Sequence, residues 1–159
     1  DLDKELDMIH VNIESLHILM KHYLKRFVEE DKGHILNVAS SAGLMPAGPY
    51  MSTYYATKAY VTSLTSGVAK ELKDRGSRVV VSALCPGPVD TEFNDVANCS
   101  FDIGSIGPGQ CAREALENLF KGKTIIVPST KMKLATKFSK ILTRNRLIDI
   151  CGRQQKKKI

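Results

Sequence analysis

The run Val79-Val80-Val81, inside an apolar stretch spanning residues 78–84, most narrows what this chain can become. β-branched residues in unbroken succession suit a pleated strand. A strand without polar alternation must be buried on both faces, which is the situation of a parallel sheet covered by helices on either side. Residues 34–39 form a second such run, and residues 124–127 a shorter third. Parallel neighbours need long crossovers, and the chain supplies them. Leu6, Ile9, Ile13, Leu16, Leu19, Met20, Leu24 and Phe27 recur at helical spacing over residues 1–30. Further helices are expected over 52–74, 110–121 and 131–150, with Gly33 and Gly76 as stop signals. The alternation αβαβαβα implies an α/β fold, a three-layer, doubly wound parallel sheet.

Composition removes several function classes. A hydrophobic share of 43% is that of a globular chain. No apolar run approaches the ~18 residues of a membrane-spanning helix, and no signal peptide is visible, so a cytoplasmic setting is expected. Cys85, Cys99, Cys111 and Cys151 are scattered without a C-x-x-C pair, which suits reduced thiols better than zinc. His10, His17 and His22 lack the i, i+4 spacing of a helical metal pair, so no metal site is expected.

The net charge of +6 is concentrated at one end. Residues 1–130 carry 13 Lys+Arg against 16 Asp+Glu, whereas residues 131–159 carry 10 against 1. The basic segment interleaves Met132, Leu134, Phe138, Ile141, Leu142, Leu147 and Ile148. A basic amphipathic helix can lie on an anionic membrane, and contact of residues 131–159 with a membrane surface is the weaker expectation. Docking on the body is the stronger. Nucleic acid is not expected as a partner, because no recognition motif accompanies the charge.

One short stretch carries chemistry. Tyr54 and Lys58 stand at i and i+4, and Ser41 lies thirteen residues before Tyr54, just past the second apolar run. A free phenol titrates near ~10, and a neighbouring cation favours the phenolate. A serine hydroxyl beside the phenol would hold a carbonyl oxygen. Together they form an acid–base group for interconverting a ketone and an alcohol. Tyr55 competes for the role from i, i+3 to Lys58, and Ser40 competes with Ser41 or caps the turn. Asn12 sits mid-helix, where asparagine reflects either exposure or a local hydrogen bond.

Ser41, Tyr54 and Lys58 at this spacing resemble the short-chain dehydrogenase/reductase family in its single-domain form. Gly33-His34-Ile35-Leu36-Asn37-Val38-Ala39-Ser40-Ser41-Ala42-Gly43 looks like the family's serine-bearing strand, Pro86-Gly87-Pro88-Val89-Asp90-Thr91 like its nicotinamide loop, and Val11-Asn12 like its helical asparagine. The resemblance covers most of the chain, least after about residue 128. It implies a Rossmann-like sheet represented by its last three strands. It selects Tyr54 over Tyr55, because thirteen residues before Tyr55 stands Ala42. It implies that Asn12 disturbs its helix and holds a water in the proton path. Lys58 would tune Tyr54 and, with it, hold the nicotinamide ribose. Pro86, Gly87, Val89 and Thr91 would wall the nicotinamide. NADP or NAD is the implied cofactor, NADP slightly favoured, and a small carbonyl or alcohol the substrate. Homo-oligomers through helices 1–30 and 52–74 are also implied.

The family's opening Gly-rich turn, of the form T-G-x-x-x-G-x-G, does not occur here. The chain is therefore expected to be the C-terminal part of a longer enzyme and inactive by itself, with 34–39 as an aggregation-prone edge strand. Residues 1–159 are expected to form a single partial domain ending in a basic helix and tail. Sugar epimerisation or dehydration is a weaker enzymatic alternative, and a non-catalytic remnant or membrane-associated interaction module the alternative outside enzymes.

Overall fold

The computed structural model describes residues 1–92 and 104–156. Cys99, Lys157 and Lys158 lie outside them. Helix α1 (Leu2–Ile9) runs through a π-helical turn (His10–Ser15) into α2 (Leu16–Glu29). Strand β1 (His34–Val38) and a 3-10 turn (Ser41–Leu44) lead to α3 (Ser52–Asp74) and β2 (Val80–Leu84). The chain continues as α4 (Pro108–Phe120), β3 (Ile125–Ile126), α5 (Thr130–Ser139) and α6 (Arg144–Lys156).

The sheet is parallel, in the order β1-β2-β3. His34 pairs with Val80, Val38 with Leu84, and Leu84 with Ile126. Alternation along β2 sends its side chains to two cores. Val79 and Val81 pack with Met20 of α2 and Leu72 of α3. Leu84 packs on the other face with Cys111, Ala115 and Leu119 of α4 and Ile126 of β3. The apolar runs are thus strands buried between helical layers, as their composition requires.

The helix expected over 1–30 carries a π turn at His10–Ser15, around Asn12. It stops before Gly33, and Glu30 rather than Gly33 is its cap; the following left-handed residue is Asp31, at φ 43°. The Asp31 carboxylate accepts bonds from the Ser77 hydroxyl and from the Arg78 main-chain N–H and guanidinium, at 2.8–3.0 Å. Those bonds offset the strained backbone and hold its carboxyl below the usual range, the Arg78 N–H contributing most. The basic helix expected over 131–150 is two helices, α5 and α6, broken at residues 140–143. Met132, Thr136 and Ser139 of α5 and Cys151 and Gln155 of α6 are all buried, and one straight helix could not seat both sets.

Candidate active site

Past the carboxyl ends of β1 and β2 the pairing continues into the loops. Ala39 N–H donates to Leu84 O and Ser41 N–H to Pro86 O, each at 2.8 Å. The serine turn and the proline loop are therefore tied to each other. Ser40 is buried, and its hydroxyl accepts from Ala42 N–H at 3.1 Å, capping the 3-10 turn. Ser41 faces a cleft of about 890 Å³. Gly43 then passes so close to α3 that a Cβ there would strike the Lys58 carbonyl and the Thr62 hydroxyl.

The first turns of α3 present Tyr54 and Lys58 to the same cleft. The Lys58 ammonium lies 5.8 Å from the centroid of the Tyr54 ring and donates to Val38 O at 3.2 Å. Burial pushes the Lys58 pKa down, and the neighbouring Cys85 only partly opposes this. Cys85 is itself buried, which raises its thiol to about 11. Tyr55 borders the same cleft but is engaged by α6. It is 9% exposed, accepts from Gln155 Nε2 of α6 at 3.1 Å, and is raised to about 12, chiefly by burial.

Asn12 lies in the π turn and also lines the cleft. Its side-chain amide donates to Thr57 Oγ1 at 3.1 Å, and Thr57 donates to Tyr54 O at 2.9 Å. A π turn forgoes regular i→i−4 bonding and often marks a functional site. Here the widened turn is bonded to the main chain of the helix carrying Tyr54. A second bond, 2.6 Å between His17 Nδ1 and Tyr60 OH, joins the same helices.

Pro86, Gly87, Val89 and Thr91 line the cleft together with Ser41 and Lys58. Val89 forms an isolated parallel bridge with Ile106. Asp90 N–H donates to Ile106 O and Ile106 N–H to Pro88 O, at 3.0 and 3.2 Å, which fixes the loop. The cleft is also lined by an apolar wall from α5, α6 and the turn between them, with Met132, Phe138, Leu142, Leu147 and Ile150. Gly87 lies under Met132, whose Cγ would be 2.6 Å from an added Cβ. Thr57 and Gln155 were not singled out from sequence. Thr57 does follow Tyr54 at i+3, a spacing that places its hydroxyl over the tyrosine carbonyl.

The structure is a Rossmann-like α/β protein that brings Ser41, Tyr54 and Lys58 to one cleft beyond the carboxyl edge of its sheet. Residues 2–100 match the family model described as short chain dehydrogenase, and the chain belongs to that family. It is similar to the very-long-chain 3-oxoacyl-CoA reductase of Anas platyrhynchos, 33% identical over 154 residues that cover 88% of this chain and 48% of the relative. An uncharacterized short-chain type dehydrogenase/reductase of Sinorhizobium fredii is 42% identical over 86 residues, 54% of this chain and 34% of the relative. The chain thus spans about half, or less, of the curated relatives it matches. Among solved structures, one from a study of 7beta-hydroxysteroid dehydrogenase stereoselectivity superposes with TM-score 0.79 at 26% identity, covering 95% of this chain and 58% of the other. A short-chain dehydrogenase from Sphingobium yanoikuyae in complex with NADPH gives TM-score 0.69 at 27% identity, over 84% and 51%.

Among the described residues no group of three or more His, Cys, Asp or Glu could hold a metal ion. Cys85, Cys111 and Cys151 are free and buried. No helix among the described residues is long and apolar enough to cross a membrane.

Proposed function

We propose that the protein carrying this chain is an NAD(P)-dependent oxidoreductase that interconverts a carbonyl and a secondary alcohol. The observation that carries the reading is the convergence of Ser41, Tyr54, Lys58 and the Pro86–Thr91 loop on one cleft beyond the strand ends. This is where open α/β sheets bind ligands. Ser41 holds the substrate oxygen. Tyr54 gives its phenolic proton to that oxygen in reduction and takes it back in oxidation. The Lys58 ammonium, beside the Tyr54 ring, stabilises the phenolate that remains. Asn12 holds the π turn against α3 through Thr57, keeping a water path open to Lys58.

The residues fit a nicotinamide group. Lys58 and Tyr54 would hold its ribose hydroxyls, and Gly87, Val89 and Thr91 of the proline loop, which line the same cleft, would border the nicotinamide. The bound dinucleotide supplies or accepts hydride at the substrate carbon. NADP is tried ahead of NAD, although the solved relatives include both an NADPH complex and an NADH complex.

The apolar wall from α5 and α6 suits a substrate with a large apolar body. The 3-oxoacyl-CoA reductase and hydroxysteroid dehydrogenase relatives support 3-oxoacyl thioesters and ketosteroids as the classes to try first. Homo-oligomerisation is proposed through α1–α2 and α3; Leu2, Val11, Ile18 and Leu19 are exposed apolar residues on the first of these.

The test is NADPH and NADH oxidation by the product of the complete reading frame, with both substrate classes and Tyr54→Phe in parallel. Turnover that disappears in the variant upholds the reading. Dinucleotide binding without Tyr54-dependent turnover on either class counts against it, and failure to bind any dinucleotide overturns it in favour of a non-catalytic chain.

A further inference from the structure

Helix α5 buries one side and leaves an apolar ridge on the other. Met132, Thr136 and Ser139 face the body. Leu134 and Phe138, at i and i+4 on α5, share one helix face and are 52% and 64% exposed; Ile141, in the turn that follows, is 78% exposed. Lys131 and Lys137 flank the ridge, and Lys140, Arg144 and Arg146 follow it, all exposed. No acidic residue occurs from Thr130 to Ile148. Among the described residues the ion pair reaching this segment is Glu114 with Lys133, at 3.1 Å, and Arg144 donates to Pro46 O at 3.4 Å. The apolar ridge is therefore set among an excess of positive charge.

We propose that α5 and the turn after it form a docking surface for an anionic lipid bilayer. Leu134, Phe138 and Ile141 enter the acyl boundary while the lysines and Arg144 meet the headgroups. Apolar side chains ringed by cations are what peripheral binding to such a surface requires. A second copy of the chain is a poorer occupant, because a two-fold contact sets each patch against its own kind and would oppose cation to cation. Nucleic acid would leave the aliphatic ridge unused. Phe138 and Leu142 also line the cleft, so docking would set the mouth of the cleft at the bilayer surface. The proposal does not depend on the reductase reading.

The test attaches an environment-sensitive fluorophore to Ile141→Cys, on a Cys99→Ser background, in the product of the complete reading frame. Reporting from one side chain separates this contact from any other membrane attachment. Vesicles of phosphatidylcholine with phosphatidylserine should shift the emission to the blue, and vesicles of phosphatidylcholine alone should not. The response should weaken as salt rises. Lys137→Glu should lower vesicle affinity at least about fivefold, the loss expected for one basic contact. Leu134→Ser, an exposed position whose folding can be followed by circular dichroism, should lower it at constant charge. Equal response to both vesicles, or none to either, overturns the proposal. So does a blue shift that appears without lipid, either as protein concentration rises, which would mean a second copy, or on adding duplex RNA.

Discussion

The two walls of the cleft are built on opposite terms. The sheet-side wall, from the end of β1 through the start of α3 to the proline loop, is held by main-chain and polar bonds: Ser41 to Pro86, Lys58 to Val38, Asn12 through Thr57 to Tyr54. The C-terminal wall is a set of apolar side chains, with Met132 buried and Phe138, Leu142 and Ile150 exposed, and Gln155 to Tyr55 is a polar pin across the seam. Directional bonds fix where a proton can move. Apolar contact fixes only volume, and so leaves the choice of substrate open. Tyr54 and Tyr55 make the contrast in adjacent residues, since one serves the first wall and the other the second.

Tyr54→Phe should break the comparison most sharply. Turnover should fall about 10²–10⁴-fold, the range for loss of a positioned acid–base group, with dinucleotide affinity largely kept. Tyr55→Phe in the same assay should retain turnover; equal losses would dissolve the distinction between the walls.

Gly43→Ala should cost about 1–3 kcal/mol of stability, as overpacking does, because the obstruction includes the main-chain carbonyl of Lys58. Denaturant unfolding would measure it. Gly87→Ala meets only the flexible Met132 side chain, so the further change Met132→Ala should restore what it loses. A matching rescue of Gly43→Ala by trimming Thr62 would mean that the two walls yield alike.

Thr57→Val leaves the Asn12 amide without its acceptor, at a cost of about 1–3 kcal/mol. It should lower kcat more than it raises KM, and Thr57→Ser should recover both. If Val and Ser behave alike in kinetics, the bond is not positioning Tyr54.

The smallest effect concerns Tyr55. Its folded pKa of about 12 lies above the ordinary 10.0, so the unfolded chain releases this proton first as pH rises. The neutral, buried tyrosine is at no disadvantage below pH 10.0, and stability should decline as pH climbs from there toward about 12. Tyr55→Phe should flatten that part of a stability–pH curve. An unchanged slope would mean that the seam with α6 opens before Tyr55 ionises.

The first wall was legible in the sequence and the second largely was not. Strands declare themselves by continuous apolar runs, and Ser41, Tyr54, Lys58 and the proline loop by fixed spacing along one chain. The π turn left a single trace, the mid-helix Asn12 expected to disturb its helix, because i→i+5 and i→i+4 bonding otherwise accept the same side chains. The break between α5 and α6 left none either, since residues 129–151 contain neither Gly nor Pro. It arises from burying two faces against two parts of the body. Thr57 and Gln155 act through partners 45 and 100 residues away, which local pattern cannot reveal.

The π turn also works as a phase adjuster. Lys4 and Met8 of the first helical segment line the cleft, while Met20, Leu24 and Phe27 of the second pack toward the sheet. One rod serves two clients because its angular count is reset between them. Deleting a single residue from His10–Ser15 to restore regular winding would rotate one segment against the other by about 100°, one residue's share of a 3.6-residue turn. The second segment would stay seated on the sheet, and the first would show the cleft a different set of side chains.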